Sequence, residues 1–404
     1  MLNDTAFQRL MTEPLDWRFR SVPPSAYGAS LEEWLASDPT VEELPSPVMT
    51  LDATALTANI AGMASWCAAE GLTHAPHGKT TMAPQLWRRQ LESGAAAITL
   101  ATPAQLRIAA AFGVPRVFLA NEIVRPDALT WLAGWVADGA DVVCFADSVD
   151  AVSIMDSILR SSGATLDVCV ELGGVGGRAG AREHETALGV AAAIDRASSL
   201  RLVGVGGYEG SLAHDVHDAD LAIVDDFTRR LVRLHEALDY PVDRPIVTVG
   251  GSQYFDQIAD AARPLIESGV EVVLRAGSYI AHDHGMYAGA TPAARHRNGP
   301  ALTPALTVRA GVLSLPEPGL ALLDVGRRDV PFDAGFPIPL DLPHAAVVAL
   351  NDQHAHVRGD LDGVNVGDIV RLGISHPCTA FDRWNLIPVV SDDGSIVDAV
   401  RTYF

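Results

Sequence analysis

His77-Gly78-Lys79-Thr80-Thr81-Met82-Ala83-Pro84 stands between two helical patterns, Leu56 to Ala69 before it and Gln85 to Leu91 after it, the second closed by Gly94. In both, apolar and polar residues recur at helical spacing. Lys79 therefore falls at or just past a short strand (around Thr73-His74-Ala75-Pro76) and ahead of a helix. In alternating β/α folds that is the end where chemistry is placed. A lysine sheltered there can keep its amine partly neutral and attack a carbonyl. A solvated lysine at a helix start would explain the same letters, so the reading of Lys79 depends on the rest of the chain.

Outward from this stretch, strands and helices alternate. Pro47 to Asp52 reads as a first strand, followed by Ala97 to Ala101, Arg116 to Ala120, Val142 to Ala146, Leu166 to Leu172, Leu202 to Gly206, Ile246 to Gly250 and Val270 to Arg275. Thr102 is placed as an N-cap with Pro103 at the first helical position. The strands are short, apolar and β-branched, as expected when both faces are buried. About eight strand–helix units over roughly 240 residues is the arithmetic of a (β/α)₈ TIM barrel, expected here over residues 46–300. A doubly wound sheet is the competing layout. From Thr303 the pattern changes to strands without long helices, such as Leu306 to Ala310, Leu320 to Asp324, Ala346 to Leu350 and Ile369 to Leu372. Residues 301–404 are thus expected to form an all-β domain. Residues 1–45, with Trp17, Trp34 and several prolines, read as an N-terminal arm packing on the body.

The 404 residues are 48% hydrophobic, enough for a large core in more than one unit. The formal charge of −21 argues against nucleic acid or an anionic membrane as partner. Met1 to Thr5 shows no basic n-region or apolar h-region, so no signal peptide is expected. No apolar run reaches the roughly 18 residues of a spanning helix. Cys67, Cys144, Cys169 and Cys378 form no CxxC pair, which fits a reducing cytoplasm.

Two glycine clusters follow the last two barrel strands: Gly250-Gly251-Ser252 and Gly277-Ser278-Tyr279. Glycine lets the backbone approach an anion, and successive N–H groups with a serine hydroxyl cradle phosphate. Barrels commonly bind phosphate in these two loops. Together with Lys79 they point to a phosphorylated cofactor with an aldehyde, pyridoxal 5′-phosphate. Arg178, in the run Gly173 to Gly180, could place its guanidinium beside a pyridine nitrogen and keep that nitrogen unprotonated; a surface arginine in a flexible loop is the plainer alternative. Tyr208 ends another strand and could flank the cofactor ring. His376-Pro377-Cys378 is too short for a zinc finger but, with further ligands or water, could make an open zinc site. His282-Asp283-His284 spells a similar pattern, and its place after a phosphate-type loop favours orientation of that loop over metal binding.

These motifs resemble the fold-type III pyridoxal-phosphate enzymes, an alanine racemase-like barrel with a β domain. Within them the sequence is similar to the D-serine dehydratase, D-threonine aldolase and D-hydroxyaspartate dehydratase group, over roughly residues 45–400. Pro76-His77-Gly78-Lys79-Thr80 corresponds to the group's P-H-x-K-T, whose lysine forms the Schiff base. Arg178 matches the arginine near the pyridine nitrogen. Gly250-Gly251-Ser252 and Arg275 to Tyr279, followed by Asp283, match the phosphate-loop segments, and His376-x-Cys378 matches the His–Cys zinc pair of the dehydratases. Gly326 to Asp333 resembles the amino acid deaminase branch. Two departures stand out: the group's E-H-G reads Gln353-His354-Ala355, and the arginine often found before P-H is Ala75.

The resemblance implies a homodimeric lyase acting on a D-3-hydroxy amino acid. Lys79 would hold the cofactor and remove the α-proton. Zinc on His376 and Cys378 would act as a Lewis acid on the β-hydroxyl, giving a 2-oxo acid and ammonia. Retro-aldol cleavage, with His354 as the base, is the alternative. A non-catalytic pyridoxal-phosphate carrier is the more remote one.

Overall fold

The computed structural model describes residues 2–404. After the arm helices α1 (Asp4–Thr12) and α2 (Leu31–Leu35) comes β1 (Val48–Asp52). The alternating region follows as α3 (Ala53–Ala69), β2 (Thr73–His74), α4 (Pro84–Glu92), β3 (Ile98–Leu100), α5 (Pro103–Ala111), β4 (Arg116–Glu122) and α6 (Pro126–Ala137). It continues through β5 (Asp141–Ala146), α7 (Val149–Leu159), β6 (Leu166–Leu172), α8 (His184–Arg196), β7 (Leu200–Gly207), α9 (Asp218–Glu236), β8 (Ile246–Val249), α10 (Phe255–Glu267) and β9 (Glu271–Leu274).

Strands β2 to β9 form one parallel sheet in the order β2-β9-β8-β7-β6-β5-β4-β3. Its two ends meet. Ala96 N donates to the His74 carbonyl at 2.8 Å, Thr99 N donates to the Pro76 carbonyl at 2.9 Å, and His77 bridges Thr99. The barrel expected from the sequence is therefore present and closed. Inside it, Phe118, Val143, Phe145, Cys169, Val203, Ile246 and Val273 pack as one cluster. They sit at alternating strand positions, as side chains that fill a barrel must. The Thr102 side chain accepts from Gln105 N with Pro103 behind it, so α5 starts as its sequence requires.

One boundary moves. β1, expected to open the barrel, pairs antiparallel with β10 (Leu306–Glu317) and parallel with β16 (Leu386–Val390), in the second sheet. The barrel's first strand is instead the two-residue β2. Both sheets offer a strand buried on its two faces, so apolar composition alone does not separate them. The β domain over 301–404 adds β11 (Leu320–Leu323), β12 (Ile338–Pro339), β13 (Ala345–Leu350), β14 (Ala355–Gly359), β15 (Ile369–Gly373) and β17 (Ile396–Arg401). In the arm, Leu15, Phe19, Val22, Leu31 and Trp34 share a core with Leu386, Ile396 and Ala399. Among the described residues no helix is long and apolar enough to cross a membrane.

Candidate active site

One pocket opens where the C-terminal ends of the barrel strands meet the β domain. It is lined by His77, Lys79, Thr80, Tyr208, Gly250, Gly251, Ser252, Gly277, Ser278, His376 and Cys378, with Ala120, Arg178, Arg275, Met286 and Tyr287. The tertiary fold thus gathers residues that lie up to three hundred positions apart in the chain.

Lys79 sits in a single 3-10 turn, Gly78–Thr80, after β2. Burial lowers its amine pKa; the Cys378 thiol opposes that shift, and Arg178 and Arg275 add to it. His77 is half-buried and its imidazole is held neutral, mainly by desolvation and then by the charge of Lys79. Its Nδ1 has no hydrogen-bond partner. Gly277 is required by close approach: a Cβ there would lie 2.5 Å from the His77 carbonyl oxygen. Ser278 N donates to Ser252 Oγ at 3.2 Å, which joins the two glycine loops. Tyr208 has its phenol pKa pushed up to about 12 by burial, so its hydroxyl stays protonated.

Two expected residues, Tyr279 and His354, fall outside the pocket lining, and a third, Arg178, lines it from its rim. Tyr279 is buried away from the pocket, accepting from Gln90 Nε2 at 2.8 Å with its ring tilted against His74. It supports the barrel wall. His354 is exposed in the turn between β13 and β14, the edge hairpin of the second sheet, and does not line the pocket. Arg178 lines the pocket from an exposed position, with its guanidinium 5.1 Å over the Tyr208 ring. The deep guanidinium is Arg275, 5% exposed, held by bonds to Thr248 Oγ1 (2.7 Å) and the Gly207 carbonyl (2.6 Å).

Sequence reasoning missed Arg275 as a site residue, although it quoted the segment. It also missed Glu209, which is fully buried and accepts from Gly250 N (3.2 Å) and Gly251 N (2.5 Å). Those two amides, expected to face phosphate, are bonded to this carboxylate. Gly250 and Gly251 shape the loop, and the Ser252 and Ser278 segments remain for an anion. Asp283 accepts from the backbone N–H groups of Gly285, Tyr287 and Ala288, which turns Met286 and Tyr287 toward the pocket. Of the His282-Asp283-His284 run, Asp283 therefore orders the segment that follows it and not the preceding phosphate-type loop.

On the β-domain side, His376 Nδ1 lies 2.7 Å from Asp333 Oδ2, and Thr379 Oγ1 donates to Asp333 Oδ1 at 2.8 Å. Cys378 stands two residues on, in the 3-10 turn that His376 precedes. Cys378 Sγ is 3.1 Å from Ser278 Oγ and 3.7 Å from Thr80 Oγ1. Against burial, which lowers it, the Cys378 thiol and then the Asp333 carboxylate raise the His376 pKa to about 9. Gln353, which stands where the resembling group has Glu, donates its amide to Asp329 at 3.1 Å. A glutamate there would set a second carboxylate against a fully buried one.

The pocket's residues fit pyridoxal phosphate: a lysine whose amine pKa burial lowers, an imidazole with an unpartnered buried nitrogen, a glycine loop that a Cβ would block, and paired serine hydroxyls. The donors of His376 and Cys378, nitrogen and sulfur, suit zinc, and a carboxylate on the outer ring nitrogen is the usual support for a ligating histidine. Among the described residues no group of three or more His, Cys, Asp or Glu is arranged to hold a metal, so two protein ligands and open positions are what the pair offers.

Comparison with known proteins agrees with this architecture. Residues 305–390 match the family model described as "Putative serine dehydratase domain". The D-threonine aldolase of Arthrobacter sp is 28% identical over 350 residues, covering 86% of this chain and 89% of that one. The D-threo-3-hydroxyaspartate dehydratase of Delftia sp. strain HT23 is 26% identical over 386 residues, covering 88% and 97%. The crystal structure of D-threonine aldolase from Filomicrobium marinum superposes with a TM-score of 0.80 at 24% identity, covering 90% and 97%. With the barrel and the companion sheet, these likenesses define the class by its fold: the chain has the alanine racemase-like architecture of the fold-type III pyridoxal-phosphate enzymes. In sequence it is similar to the D-threonine aldolase and D-hydroxyaspartate dehydratase group.

Proposed function

We propose that this chain is a pyridoxal-phosphate lyase of D-3-hydroxy amino acids, converting a D-serine-like substrate to a 2-oxo acid and ammonia. The observation that carries this reading is the meeting, in one pocket, of Lys79 with the His376–Cys378 pair. Pyridoxal phosphate supplies an aldehyde that binds the substrate amine and a ring that withdraws electrons from its α-carbon. Zinc on His376 and Cys378 supplies Lewis acidity toward a β-hydroxyl. The chain's own residues do the rest. Lys79 Nζ, its pKa lowered by burial, takes the α-proton from the single face it occupies, which selects one enantiomer. Arg275 is the guanidinium buried enough to keep a pyridine nitrogen unprotonated. Ser252 and Ser278 receive the phosphate, and Tyr208 flanks the ring. Loss of the hydroxyl and of the α-proton removes water. Addition of water to the resulting enamine releases ammonia and the 2-oxo acid.

Retro-aldol cleavage is the second reading, favoured by the aldolase relatives. Its expected base, His354, lies outside the pocket of a single chain, and the thiol of Cys378 suits zinc. Two features support a homodimer in solution: the family resemblance, and the exposed Phe332, Phe336 and Ile338 on the β domain. D-Threonine given to purified protein with pyridoxal phosphate and zinc decides the chemistry. 2-Oxobutyrate with ammonia is the expected result. Glycine with acetaldehyde would establish the aldolase instead, and absence of both products across D-3-hydroxy amino acids would overturn the lyase reading.

A further inference from the structure

Arg20 leaves the N-terminal arm and ends between the loop that carries His376 and Cys378 and the loop whose Asp333 holds His376. Its guanidinium bonds the Asp329 carboxylate, donates to the carbonyls of Arg383 (2.7 Å) and Arg328 (3.3 Å), and lies 3.6 Å over the Trp384 ring. Asp329 is fully buried, and its carboxylate also accepts from Gly326 N (2.9 Å) and Gln353 Nε2 (3.1 Å). Trp384 Nε1 donates to the Asp329 carbonyl at 2.9 Å. Further along the same loop, Asp333 grips His376 and Thr379. From the other loop, Arg383 donates to the carbonyls of Thr379 (2.8 Å) and Arg327. Loops 326–333 and 376–384 are therefore cross-linked, and Arg20 binds both.

We propose that Arg20 is a positioning residue for the His376–Cys378 pair: the N-terminal arm holds the two loops in register, so that Asp333 fixes the His376 ring beside the Cys378 thiol. A planar fork suits this task. It reaches a carboxylate and two carbonyls while stacking on an indole, which a lysine ammonium cannot reproduce. Loss of Arg20 leaves a buried carboxylate with neutral partners only, and such a group draws in water or moves.

The test has two readouts on the full-length chain. Cobalt(II) is titrated and followed by thiolate-to-cobalt absorption, a readout that rests on the metal reading of the pair. Independently, the metal-free protein is labelled with a disulfide reagent. Cys67, Cys144 and Cys169 are buried, so the fast phase reports Cys378. Arg20→Ala is expected to weaken cobalt binding about tenfold, the lower end of losses seen when support of a ligating histidine is removed, and to speed Cys378 labelling several-fold. Arg20→Lys keeps a charge on Asp329 without the fork; it should fall between, and it decides the matter if the alanine variant does not fold. Ser21→Ala removes the arm's buried hydrogen bond to the Leu386 carbonyl (2.7 Å) and serves as the control. It should lower the melting temperature and leave both readouts at the wild-type value. If the Arg20 variants behave like Ser21→Ala, the arm only packs and the proposal is overturned. If the wild type binds no cobalt, the metal reading falls and the labelling rate alone decides on Arg20.

Discussion

The two sides of the pocket are built by different means. On the barrel side, Lys79, Ser252, Arg275 and Gly277 follow the ends of β2, β8 and β9, whose mutual register sets their spacing. Backbone hydrogen bonds and the plug of Phe118, Phe145 and Ile246 hold that register. On the β-domain side, His376 and Cys378 lie in a loop turn held by side chains from elsewhere: Asp333, Ser278 and, at one remove, Arg20. A frame of backbone bonds loses little when one side chain is changed. A frame of side chains loses its geometry with a single carboxylate.

That contrast can be broken most forcefully at Lys79. Lys79→Ala should cut turnover by on the order of a thousandfold or more and abolish the visible absorption of protein-bound pyridoxal, with the fold retained by circular dichroism. Survival of the band would mean that the barrel side does not hold the cofactor through this residue. Next in size is Gly277→Ala. Its Cβ would strike the His77 backbone, and relief of that overlap should cost about 1–3 kcal/mol, read as weaker pyridoxal-phosphate binding in a fluorescence titration of cofactor-free protein. Gly189→Ala, with open space around the new methyl group, should bind as the wild type does. Equal losses in the two variants would mean that the glycine loop is not a cofactor contact.

The β-domain side is probed by Asp333→Asn. Cobalt or zinc affinity should fall about 10–100-fold with the pyridoxal spectrum unchanged. A loss of the spectrum instead would show the two sides to be one unit.

The smallest effect concerns Glu171, whose carboxyl is pushed up to about 9 by burial and then by the neighbouring Glu122 carboxyl. A raised folded pKa means that the native state holds this proton after the unfolded chain, near 4.3, has lost it. Its contribution is full at low pH and is lost as pH rises toward the folded value, with a slope of at most about 1.4 kcal/mol per pH unit. Glu171→Gln should therefore raise the melting temperature more at pH 8 than at pH 5. A gain of equal size at both would mean that Glu171 is not held protonated.

The barrel strands from β3 onward and the all-β second unit were legible as apolar, β-branched runs between turn signals, and Lys79, Ser252, Gly277, His376 and Cys378 as short motifs at their ends. β1 was read into the wrong sheet because a strand buried on both faces looks alike in either. Tyr279 was read as a cofactor contact because it continues a motif, yet its hydroxyl meets Gln90. His354, the base expected for the retro-aldol alternative, is exposed at an edge hairpin.

By itself the sequence determined the succession of elements, the loops that carry glycine and lysine, and the donor types of the His–Cys pair. These follow from local periodicity and from which side chains can do a given chemistry. Only the tertiary structure decided that Arg275 is the deep guanidinium, that Glu209 occupies the Gly250 and Gly251 amides, and that Asp333 and Arg20 support His376. Those contacts join segments far apart in the chain, and a polar residue's partner is set by where the backbone brings it, which no local pattern encodes.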